Sequence, residues 1–342
     1  MNETIANQLQ SYYTHLFKHN RKVNIKNISC ISTGWESEMY SFDLEYESGS
    51  TRETEQLVLR IYPGENADRK SVSEFHSLQQ LHRSGYPVPH VKLLERAHSP
   101  FGRPFIVMER IKGPVLGSLL FHSVNAHQAA LLTQFCELFV RLHRLDWQPF
   151  LTEPQAGITE PYFFIDYWLA MAHSYLERFQ KSEFLPVLRW IVQRRDLAPC
   201  ERPSVIHGDF HPFNVLVRDD GSAVVIDWTG AGVSDARFDL AWTLTLASAY
   251  HGREWRDRIL KEYEQAMGST AREIEVFEVC AYARRLFDIT VSLTEGPEKL
   301  GMRPQAVEMM RREMGAARRV YELLIEQTQI RISSIEKMLS VF

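Results

Sequence analysis

The sequence predicts an α+β chain in two parts, a small antiparallel sheet carrying one helix and then a larger, mainly helical region. Three patterns carry this prediction. Apolar residues alternate with a period of two at 38–46 and again at 57–62. Val72, Phe75, Leu78 and Leu81 recur at the spacing of one helix face. Beyond residue 113 the helical period dominates, apart from a short extended stretch near 205–227. A period of two marks a half-buried strand, and a period near 3.6 an amphipathic helix.

The elements follow in order. Residues 27–33 read as a first strand. Tyr40, Phe42, Leu44 and Tyr46 define a second, and Leu57, Leu59 and Ile61 a third, with the turn-forming Ser48-Gly49-Ser50 between them. The helix through Val72–Leu81 stops at Gly85 and Pro87, which cannot continue it. The segments VKLLER and PFIVMER complete five strands. Gly113 is the predicted boundary, giving an N-terminal lobe over 1–112 and a C-terminal lobe over 113–342. In the second lobe, Leu131, Leu132, Phe135, Leu138, Phe139 and Leu142 form one helical face. A single aromatic-rich helix is predicted over about 162–194, and the chain is helical again beyond Asp239 with a break at GPEKLGMRP.

The 342 residues carry a net charge of −4, and a nucleic-acid surface would need a basic excess. The acidity lies beyond residue 112 and favours a cationic partner slightly. Cys30, Cys136, Cys200 and Cys280 are scattered, with no C-x-x-C pair, as expected of thiols in a reducing cytoplasm. No leader pattern and no apolar run of membrane-spanning length is expected.

The chemistry concentrates in VIHGDFHPFNVLVRDDGSAVVIDWTGAG, residues 205–232. Asp220-Gly221 between apolar runs signals a hairpin. With a two-residue loop, Val217 faces Val224 and Asn214 faces Asp227. An amide oxygen and a carboxylate at the open end would suit Mg²⁺, which takes oxygen ligands and few from protein. Asp209 enters the same hairpin and could orient the proton of an attacking hydroxyl.

The run His207-Gly208-Asp209-Phe210-His211-Pro212-Phe213-Asn214 resembles the catalytic loop of the aminoglycoside phosphotransferase and choline kinase-like families, within the protein kinase-like superfamily. Asp227-Trp228 resembles the metal-binding acid that follows. The resemblance implies a two-lobed protein kinase-like fold. It also implies transfer of the γ-phosphoryl group of ATP, with Mg²⁺, to a hydroxyl of a small molecule, and ATP bound between the lobes. Asp209 would be the catalytic carboxylate that orients the acceptor hydroxyl, and Asn214 and Asp227 the metal ligands. Arg60, where relatives carry Lys, would pair with Glu74 and hold phosphates. Met108, Glu109 and Ile111 would border adenine, and Ser32, Thr33 and Gly34 would cover the phosphates. Asp239 resembles the acid that braces the catalytic loop.

Phe213 stands where the family often has a small residue, and Thr229 where some relatives have a second carboxylate. Three other readings stay open: a nucleotide-binding module without catalysis, a protein kinase, and a metal-dependent hydrolase built on His207 and His211. A protein kinase would need an A-P-E signature and more room between Asp227 and Asp239. The glycine and proline between the two histidines argue against zinc. The acceptor itself is not readable from the sequence.

Overall fold

The structure, a computed structural model, describes residues 2–17, 22–31, 37–48, 51–151, 153 and 155–341. The chain divides into two units: Met1–Gly113 with Leu216–Thr229 and Gly301–Arg303, and Pro114–Val215 with Gly230–Leu300 and Pro304–Phe342. The first unit thus takes in two stretches from late in the chain.

In the first unit, helix α1 (Asn2–Leu16) precedes β1 (Val23–Cys30), β2 (Glu38–Ser48) and β3 (Thr51–Ile61). Helix α2 (Ala67–Arg83), β4 (Val91–Glu95) and β5 (Phe105–Glu109) follow. The antiparallel sheet has the order β1-β2-β3-β5-β4, with β2 and β3 joined as a hairpin in the register Ser48↔Thr51. The five strands and the helix after the third match the sequence pattern in number and order, although β1 begins at Val23, before the start expected at 27.

Helix α1 went unread, although Ile5, Leu9 and Tyr13 recur every four residues and are buried. They pack on Phe42, Leu59, Phe105 and Val107 in the core of the sheet. Gln10 accepts from the Ile25 backbone N–H at 2.9 Å, which ties the helix to β1.

Helix α2 carries Asp68 in its first turn and His82 and Arg83 in its last, complementing the helix dipole. It ends in a paired cap. The Gly85 N–H donates to the His82 carbonyl and the Tyr86 N–H to that of Leu81. Gly85 takes the left-handed conformation this requires, with φ 71°.

The second unit holds α3 (Leu116–His122), α4 (Asn125–His143), α5 (Phe163–Arg178), α6 (Leu185–Val192) and strand β6 (Ser204–Ile206). Strands β7 (Val215–Val217) and β8 (Ala223–Val225) form the hairpin that leads into the first unit. Then come β9 (Gly232–Ser234), α7 (Ala236–His251), α8 (Arg253–Met267) and α9 (Ile274–Glu295). The last helices are α10 (Ala306–Arg312), α11 (Met314–Thr328) and α12 (Ser333–Ser340).

The single helix expected over 162–194 is two, α5 and α6. Gln180 adopts φ 52°, a 3₁₀ turn spans Ser182–Phe184, and Pro186 restarts the helix in its first turn. The hairpin loop also differs from expectation. The Arg218 N–H donates to the Ser222 carbonyl and the Gly221 N–H to that of Arg218, so the loop has three residues, Asp219–Gly221. Arg218 therefore pairs with Ser222, one position away from the register a two-residue loop would set.

Candidate active site

Strand alternation puts Arg60 of β3 and Tyr62, just past its end, on the same side of the chain, and both are buried. Helix α2 brings Glu74 to the same place. Arg60 donates from Nη1 to Glu74 Oε1 at 3.0 Å and from Nη2 to Asp227 Oδ1 at 2.8 Å. The Tyr62 hydroxyl donates to the other Glu74 oxygen. Glu74 also accepts from the Trp228 backbone N–H. Burial opposes the charge on Arg60, but Asp227 and Glu74 overrule it and raise its pKa. Burial raises the Glu74 carboxyl, with Arg60 working against it. An arginine 3 % exposed and held by two acids is an ion-paired core residue, not a snorkelling one. Its Nε has no hydrogen-bond partner among the described residues.

Asp227 adopts φ 66°, a left-handed conformation that strains a residue with a side chain. Trp228, fully buried, follows it. The Trp228 indole N–H donates to the Val225 carbonyl at 3.0 Å, and the ring packs edge-on to Tyr86 at 5.7 Å. The helix cap that fixes Tyr86 thus also backs the Asp227 turn. The Thr229 hydroxyl donates to Asp227 Oδ1 at 3.2 Å.

The expected adenine-bordering residues lie at the end of β5. Met108 is buried and paired with Val58. The Glu109 N–H donates to the His90 carbonyl at 2.9 Å. The Glu109 carboxylate takes an ion pair from Arg218 at 2.9 Å and the His90 N–H at 3.2 Å. Ile111, half-buried, follows the strand. Ser32, Thr33 and Gly34 lie outside the described residues.

The residues of the loop His207–Asn214 are built within the second unit. Asp235 caps α7 by accepting from the Arg237 N–H at 2.9 Å, which sets the start of that helix. Asp239, one turn on and buried, accepts from the backbone N–H groups of His207 at 2.7 Å and Gly208 at 2.9 Å. This is the bracing acid its sequence position implied. Gly208 has φ 81°, and a Cβ there would stand 2.6 Å from the Gly230 carbonyl oxygen, so only glycine fits. His207 accepts from the Asp209 N–H on Nδ1 at 3.2 Å, which makes it a buttress of the loop. The Asn214 side-chain N–H donates to the Asp209 carbonyl at 2.9 Å, fixing the orientation of its amide.

The Asp209 carboxylate accepts from the Trp242 indole at 2.6 Å, with His211 Nε2 3.5 Å from its other oxygen. Burial would raise its pKa. His211, the Trp242 hydrogen bond and His207 together outweigh that and hold it well below the usual carboxylate range. Trp242 was missed from sequence, although it lies three residues past Asp239 and so on the same face of α7. Arg284 on α9 was missed too; it lies beside the loop with no local sequence signal.

The structure therefore gathers Arg60, Glu74 and Asp227 in one cluster and Asp209 and Asn214 in another. Among the described residues no three His, Cys, Asp or Glu side chains form a metal-binding group. Taken one by one, the oriented Asn214 amide and the Asp227 carboxylate, 40 % exposed, are oxygen donors of the kind that suits a hard cation rather than zinc.

A five-stranded antiparallel sheet with one inserted helix, a mainly helical remainder and an HGDFHPFN loop define a protein kinase-like fold. The profile of the phosphotransferase enzyme family, APH, matches residues 28–275, well over half of the chain, and the protein belongs to that family. Solved structures agree on the fold. A Ralstonia eutropha JMP134 protein classed with the aminoglycoside phosphotransferases superposes with TM-score 0.62 at 16 % identity, over 94 % of this chain and 98 % of that one. Aminoglycoside phosphotransferase APH(4)-Ia, in a thermostable mutant bound to ADP and hygromycin B, gives TM-score 0.57 at 17 % identity, over 91 % and 98 %. The GDP and kanamycin complex of APH(2″)-IIIa gives 0.58 at 15 %, over 93 % and 98 %. Among curated proteins, acyl-CoA dehydrogenase family member 11 of Pongo abelii is 27 % identical over 177 residues. That match covers 49 % of this chain and only 22 % of the relative's length. Among the described residues no helix is long and apolar enough to cross a membrane.

Proposed function

We propose that the protein transfers the γ-phosphoryl group of ATP to a hydroxyl of a small molecule. The observation that carries the reading is the Asp209 carboxylate, held ionised by His211 and Trp242 and oriented by the Trp242 hydrogen bond inside a braced loop. An ionised acid there can take the direction of the acceptor O–H and receive its proton as attack proceeds. The acceptor oxygen forms the new P–O bond while the bond from the γ-phosphorus to the bridging oxygen of ADP breaks.

Arg60 would carry positive charge to the phosphates, its buried position set by Glu74. Glu109 would offer its carbonyl and Ile111 its N–H to adenine, with Met108 against the ring; the Glu109 N–H is already donated to His90. Asn214 and Asp227 would hold Mg²⁺, which when bound neutralises charge on the phosphates. Ser32, Thr33 and Gly34 remain the expected phosphate cover. The neighbours' ADP, GDP, hygromycin B and kanamycin support a nucleotide and a hydroxylated acceptor as the two ligand classes. The setting we propose is the cytoplasm.

A second reading, a nucleotide-binding module without turnover, is favoured by Arg60 itself, which stands in the place of Lys and engages the Asp227 carboxylate directly. ADP formation with Mg-ATP against a panel of hydroxylated acceptors, with Asp209→Asn in parallel, separates the two. Acceptor-dependent turnover lost in the variant supports the transferase. Unchanged turnover in the variant sinks the role of Asp209, and tight ATP binding with no turnover on any acceptor favours the module.

A further inference from the structure

The Asp209 carboxylate has a cationic neighbour that the proposed reaction leaves unused. Arg284 on α9 lays its guanidinium over the Trp242 ring, 4.1 Å from the centroid, and Trp242 is the residue that donates to Asp209. Arg284 Nη1 donates to the Gly208 carbonyl at 3.3 Å, next to Asp209 in sequence. The Arg284 side chain is 48 % exposed. The one acid in its ion-pair range among the described residues is Asp288, one helical turn on, at 4.0 Å.

A guanidinium has five donors in a planar fork. Here one goes to a carbonyl and the face rests on an indole, a geometry that holds the fork still. A fixed fork half open to solvent is suited to binding a carboxylate or a phosphate through two parallel hydrogen bonds. The other titratable groups around Asp209 are His211 and His207, and the Asp239 carboxylate is consumed by backbone N–H groups. The Arg284 guanidinium itself repels a cationic group brought to the same place, since like charges close together cost free energy unless screened.

We propose that Arg284 selects the acceptor, and that the acceptor is an alcohol carrying an anionic group, a carboxylate or a phosphate, rather than a polyamine. The inference rests on the phosphotransferase reading and narrows its substrate class. The anionic group is a spectator: it docks on Arg284 while the hydroxyl reaches Asp209. It runs against the slight overall acidity of the second part of the sequence, because the fixed Arg284 guanidinium, not the mean charge, meets the acceptor's charged group.

The test uses one scaffold with four charges: glucose, glucosamine, gluconate and glucose 6-phosphate. Their binding to the full chain with Mg²⁺ and a non-hydrolysable ATP analogue is measured by calorimetry, for the native protein, Arg284→Gln and Arg284→Lys. The expected result is that gluconate or glucose 6-phosphate binds the native protein at least about tenfold more tightly than glucosamine, the scale of a charge-assisted hydrogen bond. Arg284→Gln abolishes that preference and Arg284→Lys restores most of it. Which of the two anions wins separates carboxylate from phosphate. Equal binding of glucosamine, no binding of either anion, or an equal loss for all four compounds in Arg284→Gln overturns the proposal; the last would make Arg284 only a buttress of the loop. ADP formation by native protein and Asp209→Asn is followed in the same panel. Binding selectivity without acceptor-driven turnover would then overturn the transferase reading while leaving the anion preference of Arg284 standing.

Discussion

Arg60 and Asp227, 167 residues apart in sequence, are joined by a 2.8 Å hydrogen bond from a guanidinium that is 3 % exposed. The same guanidinium holds Glu74, so one buried cation organises two acids brought from a helix and a hairpin.

Removing that cation leaves Glu74 buried without its counter-charge. Arg60→Met should cost about 3–5 kcal/mol of stability, the usual penalty for breaking a buried pair from one side. Urea unfolding measures it. Adding Glu74→Gln should recover part of the loss, because an amide needs no counter-ion. A double variant as unstable as the single one would mean that Arg60 acts by packing alone.

Asp209 sets a pH signature. Its pKa is lowered in the folded protein, so its stabilisation is fully present above the unfolded carboxylate value of about 4 and is lost as pH falls through the lower folded one. The stability difference between the native protein and Asp209→Asn should not diminish as pH falls from 8 to about 5, and should shrink below about 4. Thermal unfolding across that range tests it. A difference already shrinking near pH 6 would contradict the lowered pKa.

Gly208→Ala forces a Cβ to 2.6 Å from the Gly230 carbonyl at φ 81°. Backbone strain of this kind costs about 1–3 kcal/mol. The loop would shift to relieve it, so turnover should fall much further than stability does. Melting temperature and ADP formation measured together check both halves. Near-native activity in this variant would show the loop to be more pliant than its bracing by Asp239 indicates.

If Asp227 holds the metal as proposed, Asp227→Ala should weaken binding of Mg-ATP while leaving ATP binding in EDTA little changed. Titration with and without Mg²⁺ reads the difference. Equal weakening in both conditions would assign Asp227 to the phosphates or to Arg60 rather than to the metal.

The strands of the first unit were legible because alternation such as Tyr40, Phe42 and Leu44 is a local consequence of a sheet with one buried face. The α2 stop was legible because Gly85 is the residue a left-handed helix cap favours. Helix α1 left the same kind of signal in Ile5, Leu9 and Tyr13, and it went unread. The split between α5 and α6 also turned on a local signal, Pro186, set against a continuous aromatic pattern that masked it. The three-residue loop at Asp219–Gly221 shows the limit of a dipeptide signal, since Asp-Gly serves two- and three-residue loops alike.

By itself the sequence determined the two-part α+β organisation and the order of Asp209, Asn214 and Asp227, two acids and an amide, because periodicity and motif spacing are written along the chain. It also offered Arg60 and Glu74 as partners, and the fold joined them. Only the tertiary structure decided that Arg60 also holds Asp227, that Trp242 grips Asp209, and that Arg284 from a distant helix lies over that tryptophan. Charge and hydrogen-bond partners across such separations depend on how the elements pack, and packing brings together side chains whose neighbours along the chain say nothing of one another.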